Sequence, residues 1–321
     1  MKDGLILGVD GGGSKTAANI ARVNANGDIT LLGSGYGGAG NACAVGLAQA
    51  EDHLNTAIGA ARQSAGLTAN EPIDVAVLAL AGSTITEVRT SLLLWMQKTL
   101  LADRAELVHD ADPVIAEGLP EGRGVAMIIG TGSVAISTDG KGKRSVVGGW
   151  GHWFGDTGSG YDLGRSALAA LAATVDGLGP ETVLVEAVLN QFSIHDPRQV
   201  LGALGHSGDI HREIATLAPT VLRLAEAGDN VALAIVESAA STAAKLVQAA
   251  ASHLALEANA PLALAGGVAA SSDYYRQSLL RALNAIGRYP VKVTVVNEPV
   301  KGTLVMAKNF LLNERHERRT P

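Results

Sequence analysis

Residues 8–17 of this 321-residue chain read GVDGGGSKTA, and they separate two apolar segments that are both predicted to be strands. Each glycine loses more backbone entropy on folding than any other residue, so a run of three glycines costs stability. A hairpin turn of glycine and serine nevertheless exposes backbone N–H groups with no Cβ in the way, and several such donors together bind phosphate oxygens. The turn Gly11–Ser14 is therefore either a flexible loop or a phosphate-binding turn.

A second turn of the same kind lies in the middle of the chain. Residues 130–133 read GTGS, and apolar segments again stand on both sides. Neither turn is a P-loop, because the pattern GxxxxGK[ST] is absent and each turn leads into a strand and not a helix. Two matched turns between strands favour phosphate binding over two flexible loops.

The pattern of strand, glycine turn, strand and strand occurs twice and predicts a duplicated α/β core with a cleft between the halves. The predicted strands are 5–9, 17–23, 29–32, 74–80 and 105–109, then 124–129, 134–137, 145–147, 261–265 and 291–296. The predicted helices are 44–64, 86–101 and 302–312, with a mainly helical region over 159–256.

Composition excludes several classes of protein. The chain has 25 basic and 31 acidic residues, and no run of Lys or Arg forms a stripe, which argues against nucleic acid and anionic membranes as partners. Cys43 is the only cysteine, so neither an intrachain disulfide nor a cysteine-ligated metal site is expected. No segment reads as a signal peptide or a spanning helix, since the Ala-rich stretch Val231–Leu256 carries charges and reads as a buried helix. We therefore expect a cytoplasmic protein.

Five motifs occur in order along the chain: GVDGGGSKT, VHDAD, GTGSVAI, GGWGHWFGDTGSGYDLGR and LALAGGVAAS. In these motifs the chain resembles the superfamily of sugar kinases, actin and heat-shock chaperones, and within it the branch that joins N-acetylglucosamine kinase to the BadF-type ATPases. The resemblance implies duplicated ribonuclease H-like (actin-like ATPase) domains with an interdomain cleft. The implied domains are 1–111 with about 301–321, and 112–300.

The same resemblance implies a site for Mg²⁺ and ATP. Asp10 matches the carboxylate that helps to hold Mg²⁺, usually through water. Gly266 and Gly267 match the adenosine motif, although Gly266 also suits an ordinary turn between a strand and a helix. The residues that match the two phosphate turns are Gly12, Gly13, Ser14 and Lys15, and Thr131, Gly132 and Ser133.

Asp110 is the candidate general base. It follows the predicted strand 105–109 at its carboxyl end, where α/β proteins collect ligands. Asp110 is also a possible helix N-cap, but Asp112 is the better one because it directly precedes Pro113, and proline favours the first helical position. Asp110 matches the family's catalytic base, which accepts the proton of a sugar hydroxyl.

The segment GGWGHWFGD sets the substrate class. In amino-sugar kinases the positions of Gly149, Trp150 and Gly151 lie beside the sugar ring, and that of Asp156 contacts its hydroxyl groups. Asn41 occupies the position of a sugar-binding asparagine. The alternatives are structural: Trp150 and Trp153 as core, and Asn41 and Asp156 as helix caps. His152 and Cys43 are expected to be structural.

Together these residues and the resemblance predict an ATP-dependent kinase that phosphorylates N-acetyl-D-glucosamine at its 6-hydroxyl. The resemblance also implies a homodimer. Glucosamine and N-acetylmuramic acid are alternative acceptors. A BadF-type activator ATPase needs cysteine ligands for a shared cluster, which Cys43 alone does not supply. A sugar sensor or a chaperone would need a further DNA-binding or substrate-binding domain, which we do not expect here.

Overall fold

The computed structural model describes residues 3–68, 71–119 and 121–317. The chain divides into two compact units. One contains the residues up to Glu117 and those from Glu298 onward, and the other is Gly118–Asn297. The sequence predicted one domain of residues 1–111 with about 301–321 and a second of residues 112–300. These boundaries differ from those of the two units by a few residues. Residues 318–321 lie outside the described part.

The first unit is built on a sheet of five strands among the described residues, in the order β3-β2-β1-β4-β5. β1, β2 and β3 form an antiparallel meander, and β4 and β5 continue the sheet parallel to β1. Every residue of β4 is buried, as expected for a central parallel strand. The elements are β1 (Gly4–Gly11), β2 (Thr16–Val23), β3 (Ile29–Gly37), α1 (Ala42–Val45), α2 (Leu47–Ser64), β4 (Val75–Leu80), α3 (Thr86–Thr99), β5 (Arg104–Val108) and α4 (Asp112–Gly118).

The second unit repeats this topology. Its described sheet has the order β10-β9-β6-β7-β8. If β6 to β10 are counted as the first to fifth strands of this unit, the order from the β8 edge is third, second, first, fourth and fifth, as in the first unit. The predicted duplication of the α/β core is therefore confirmed. The elements are β6 (Arg123–Ile129), β7 (Ser133–Asp139), β8 (Arg144–Gly148), α5 (Gly160–Val175), α6 (Leu184–Phe192), a 3₁₀ turn (Pro197–Gln199), α7 (Val200–Gly205), α8 (Ile210–Ala215), α9 (Ala218–Glu226), α10 (Asn230–His253), β9 (Leu262–Ala265), α11 (Gly267–Ser271), α12 (Asp273–Ala285) and β10 (Val293–Val296).

The last helix, α13 (Pro299–Glu317), follows β10 in sequence but packs on the first sheet. Its buried Leu304 and Ala307 belong to a core that also contains Ile6 of β1. Gly302 lies so close to α4 that a Cβ there would be 2.1 Å from the carbonyl oxygen of Pro113. This contact explains why α4 groups with the first unit, whereas the sequence placed it in the second domain.

Helix α10 forms the centre of the second unit. It is the helix of the described chain that is long and apolar enough to cross a membrane by length and composition alone. Its buried face, which includes Val236, Ala243 and Val247, packs with Leu264 of β9 and Leu279 of α12 in one core. These contacts are those of a core helix, as the sequence predicted for this stretch.

Two predicted elements differ from the structure. Strand 29–32 extends to Gly37 as β3, because Gly33, Gly35 and Gly37 form a face on which the backbone of α2 rests directly. Their composition suggested a loop, but their function is close packing. The predicted helix 44–64 is divided into α1 and α2 at Gly46, whose φ of +84° ends the first helix.

The contact between β3 and α2 gives a stability prediction. A Cβ on Gly35 would lie 2.2 Å from the carbonyl oxygen of Ala57, and backbone atoms cannot move aside as a flexible side chain can. We expect Gly35→Ala to lower the free energy of unfolding by about 2 kcal/mol or more. Denaturant unfolding of the purified variant measures this.

Gly59→Ala on the exposed side of α2 is the matched control. A Cβ at Gly59 has no atom within 4 Å, so alanine should stabilise the helix by about 0.5–1 kcal/mol. Equal effects of the two substitutions would show that the close approach of α2 and β3 does not limit stability.

Candidate active site

The first glycine turn connects β1 to β2 and is tied to the start of α1. The N–H of Gly12 donates to the carbonyl of Lys15 at 3.0 Å, and the carbonyl of Gly12 accepts from the N–H groups of Gly40 and Asn41 at 3.0 and 3.2 Å. Gly13, Ser14 and Lys15 are exposed, and a Cβ on Gly13 would meet no atom within 4 Å. The turn thus has a fixed base and an open tip, which suits an anion.

Two carboxylates lie at the carboxyl edge of the first sheet. Asp10 of β1 and Val108 of β5 both pair with Ala79 of the intervening strand β4, and Asp110 follows two residues after Val108. Burial and the negative charge of Asp110 raise the pKa of Asp10 to about 7, against the opposing effect of Lys15. This arrangement favours a bound cation, because a cation would remove the repulsion between the two carboxylates.

Asp110 lies in the short connection between β5 and α4, half-exposed. Its Oδ1 is 2.8 Å from Nδ1 of His109, a neighbour that the sequence had not singled out. Asp112 is the first residue of α4, one position inside the helix and not before it as predicted. Its carboxylate accepts a hydrogen bond from the N–H of His109 at 3.0 Å, so the two aspartates have different surroundings.

Asn41 is the N-cap of α1. Its side-chain oxygen accepts from the N–H of Cys43 at 3.0 Å, so the structural alternative raised for this residue describes a real contact. The cap uses the carboxamide oxygen and fixes the side chain, and the Nδ2 donor is not needed for it. Capping and sugar binding are therefore compatible roles.

The buried carboxylate of Asp156 forms a hydrogen bond with the second glycine turn. Oδ1 of Asp156 accepts from the N–H of Ser133 at 3.2 Å, and the Ser133 hydroxyl donates to the carbonyl of Thr157 at 2.7 Å. A Cβ on Gly132 would lie 2.5 Å from the same Oδ1. Asp156 does not cap α5; Ser159 does, by accepting from the N–H of Asp162. The structure brings the predicted sugar residue Asp156 to the phosphate turn.

The predicted adenosine motif lies next to this second turn. β6 and β9 are parallel neighbours, so the turns that follow them emerge side by side. Gly266 has a φ of +90°, and a Cβ there would be 2.5 Å from the carbonyl carbon of Ile129. Gly267 is exposed, with open space around it. The close approach requires glycine at position 266 and leaves a bare backbone at the edge of the second sheet.

The segment Gly149–Phe154 presents aromatic rings to solvent. Trp150, Trp153 and Phe154 are 74%, 80% and 87% exposed, which excludes the alternative that the tryptophans are core residues. Gly149 and Gly151 have φ angles of +71° and +72°. Exposed flat rings on a glycine-rich loop suit the apolar face of a sugar.

The described residues include side chains and a turn that are suited to bind Mg²⁺ and a nucleotide. They contain no group of three or more His, Cys, Asp or Glu side chains able to hold a metal. Mg²⁺ in nucleotide enzymes needs only one or two carboxylates, since phosphates and water supply the other ligands. Asp10, with its raised pKa beside Asp110, is the carboxylate that fits, and the open turn at Gly13 fits a phosphate.

The two repeated sheets with their glycine turns define the duplicated α/β fold of actin-like ATPases. Residues 7–306 match the model of the BadF/BadG/BcrA/BcrD ATPase family. The chain belongs to this family, as its motifs indicated.

Named relatives are similar over most of the chain. An N-acetylmuramic acid/N-acetylglucosamine kinase of Clostridium acetobutylicum is 27% identical, over 95% of this chain and 98% of its own. Glucosamine kinase GspK of Vibrio cholerae is 29% identical, over 73% of this chain and 76% of its own. A structure from Chromobacterium violaceum, provisionally named an N-acetylglucosamine kinase, has a TM-score of 0.73 at 26% identity, over 95% of this chain and 98% of its own.

The surroundings of the two turns predict different results for the same substitution. Gly13→Val should weaken ATP binding by about tenfold, the effect of losing one hydrogen bond to a charged oxygen, without changing the melting temperature. Gly132→Val should lower both the affinity for ATP and the melting temperature, because its Cβ would press on the Asp156 carboxylate. Calorimetric titration with ATP and thermal unfolding separate the two effects. Unchanged ATP affinity in folded Gly13→Val would contradict the assignment of the first turn.

The raised pKa of Asp10 predicts a pH-dependent stability without divalent cations. Since the folded chain holds this proton more tightly than the unfolded chain, the free energy of unfolding should fall as the pH rises from about 4 to about 7. Asp10→Asn removes this effect. In EDTA the variant should melt above the wild type near pH 8, with the difference vanishing towards pH 4. A difference that is independent of pH would contradict the prediction.

Proposed function

We propose that this protein is an ATP-dependent amino-sugar kinase that transfers the γ-phosphoryl group of ATP to the 6-hydroxyl of N-acetyl-D-glucosamine. The observation that carries the proposal is the position of Asp110, a half-exposed carboxylate that follows β5 by two residues and interacts electrostatically with Asp10. The amino-sugar kinases among the relatives support the same activity.

Asp110 acts as the general base. As the sugar oxygen attacks the γ-phosphorus and the bond to the ADP oxygen breaks, the hydroxyl proton passes to the Asp110 carboxylate. Phosphoryl transfer depends mainly on positioning and electrostatic stabilisation, so the base supplies only part of the rate.

Asp10 would hold Mg²⁺ through water, and the ion would neutralise charge that develops on the phosphates. Lys15 and the N–H groups at the tip of the first turn contact phosphate oxygens. In the second unit the turn Thr131–Ser133 does the same, and the bare backbone at Gly266 and Gly267 lies along the nucleoside. The first-turn residues that complete the ATP assignment are Gly12, Gly13 and Ser14.

The sugar is recognised by a flat ring and fixed polar groups. Trp150, between Gly149 and Gly151, offers an exposed aromatic face to the apolar side of the sugar. Asn41 donates from its Nδ2 amide, since its oxygen already caps α1. Asp156 contacts hydroxyl groups while it holds Ser133.

Glucosamine and N-acetylmuramic acid are the alternative acceptors, and both appear in the names of relatives. A coupled assay of ADP release with Mg-ATP, run across the three sugars, distinguishes them by kcat/KM. A sugar sensor would bind one of them without turnover. If no sugar stimulates ADP release, the kinase proposal is wrong.

The activator ATPases that give the family part of its name are a less suitable model. An iron–sulfur cluster shared between subunits needs cysteine thiolates, and Cys43, exposed in α1, is the only cysteine in the chain. We further propose that the enzyme acts in the cytoplasm as a homodimer and needs neither nucleic acid nor membrane.

Asp110→Asn tests the mechanism most directly. Asn is nearly isosteric with Asp but cannot accept the proton, and loss of a general base typically lowers the rate about 10²- to 10⁴-fold. We expect the loss in kcat, with a modest change in the KM for the sugar. Steady-state kinetics with Mg-ATP and N-acetylglucosamine measure both.

Asp112→Asn is the matched control, two residues along the same connection. Its oxygen accepts from the N–H of His109, and an asparagine oxygen accepts equally well, so this variant should remain active. Wild-type turnover in Asp110→Asn, or an inactive Asp112→Asn, would show that the base has been assigned to the wrong residue.

A further inference from the structure

A histidine from a distant helix faces the carboxylate beneath the second glycine turn. Nε2 of His211 lies 3.3 Å from Oδ2 of Asp156, while Oδ1 of Asp156 accepts from the N–H of Ser133. Both side chains are largely removed from water, with 22% and 7% of their surfaces exposed. A buried carboxylate needs such partners, because an unpaired charge is costly in the interior.

The position of Asp156 is fixed by its own loop. Its φ is +54°, an unfavourable value for a residue with a side chain. Two hydrogen bonds hold the loop at Gly158, two residues after Asp156. The Tyr275 hydroxyl donates to the carbonyl of Gly158 at 2.5 Å, and the N–H of Gly158 donates to the Asp162 carboxylate at 2.9 Å. The surroundings therefore maintain a strained backbone, a feature that is common at functional sites.

The position of His211 is fixed equally well. Its helix α8 packs directly on α5, where a Cβ on Gly164 would lie 2.0 Å from the carbonyl oxygen of Ile214. The imidazole packs against two rings that also contact each other, with centroid distances of 4.6 Å to His152 and 4.6 Å to Tyr161. These contacts on one side of the imidazole restrict its rotation.

The His211 imidazole is neutral at neutral pH, because its pKa is lowered from the usual value. Burial and His152 lower the pKa of His211, while the carboxylates of Asp156 and Asp209 oppose this shift. In the described structure the buried Nε2 makes no hydrogen bond of good geometry, so the contact is electrostatic at this distance. With its proton on Nε2, the neutral imidazole would present an N–H to Oδ2 of Asp156.

We propose that His211 is a positioning residue that holds the Asp156 carboxylate in place, and through it the Ser133 N–H of the second phosphate turn. One oxygen of Asp156 serves the turn and the other faces His211, so loss of the imidazole frees the carboxylate to rotate away from Ser133. Because Asp156 is assigned to the sugar, the effect on catalysis rests on the proposed function. The effect on the Ser133 N–H does not depend on the proposed function.

His211→Phe is the test variant, because phenylalanine keeps a ring packed against His152 and Tyr161 but has no nitrogen. Hydrogen exchange of the Ser133 amide, followed by NMR in the ligand-free protein, should become about tenfold faster. The KM for ATP should rise by a similar factor, with a smaller change in kcat. His211→Gln retains an N–H donor and should restore both values towards the wild type.

Two controls separate positioning from general damage. His206→Phe makes the same change at an exposed histidine near the end of α7 and should alter neither value. In an Asp156→Ala background His211→Phe should have no further effect, since it acts only through that carboxylate. Additive effects, or unchanged Ser133 exchange in folded His211→Phe, would overturn the proposal.

Two further outcomes are decided by the same measurements. If His211→Phe does not fold, His211→Asn, which is polar but too short to reach Oδ2, should show the faster exchange, and normal exchange there would refute the proposal. If the wild type phosphorylates no amino sugar, the proposed function fails, while Ser133 exchange and calorimetric titration with Mg-ATP still decide the role of His211.

Discussion

Direct contact between two backbones, with no side chain between them, determines where the functional groups of each unit lie. In the first unit, α2 rests on β3 at Gly35, and this contact fixes the layer that supports β1 and its turn. In the second unit, Gly266 touches the end of β6, and Gly164 touches α8. Contacts of this kind leave no rotamer to adjust, so the groups that follow them have narrowly defined positions.

The two units use buried carboxylates in opposite ways. Asp10 is buried beside a like charge, and its raised pKa shows that the isolated protein does not stabilise its ionised form. Asp156 is buried with a backbone N–H on one oxygen and His211 facing the other. The first arrangement is suited to receive a cation, and the second to hold a turn.

The sequence predicted the repeated topology because glycine turns between short apolar segments occur twice in the same order. It also predicted which residues lie at or just after the carboxyl ends of β1, β5, β6 and β9, since the glycine turns and Asp110 follow those apolar segments in the chain. It did not predict the length of β3, because glycines that pack against a helix have the same composition as a loop. The domain limits, the site roles and the acceptor sugar are still predictions.

The contact between Asp156 and His211 was beyond sequence reasoning for a different reason. His211 lies in α8, a helix of the segment inserted between β8 and β9, and no local pattern indicates which turn such a helix approaches. His152, which the sequence treated as structural, does pack as expected, against the ring of His211. Spacing along the chain identifies residues at strand ends, whereas residues supplied by an insertion are found only from the fold.

The difference between the two repeats therefore lies in their insertions. Among its described residues the first unit has α1 and α2 between its third and fourth strands, and its turn is anchored by backbone hydrogen bonds to Gly40 and Asn41. The second has α5 to α10 in the corresponding place, and its turn is anchored by a side chain that a helix of this insertion contacts. Hydrogen bonds between backbone groups are retained when a side chain is substituted. A hydrogen bond from a side chain is lost when that one residue is replaced. A substitution in the inserted helices can therefore reach the second glycine turn through the contact of His211 with Asp156, whereas the first turn has no such side-chain link among the described residues.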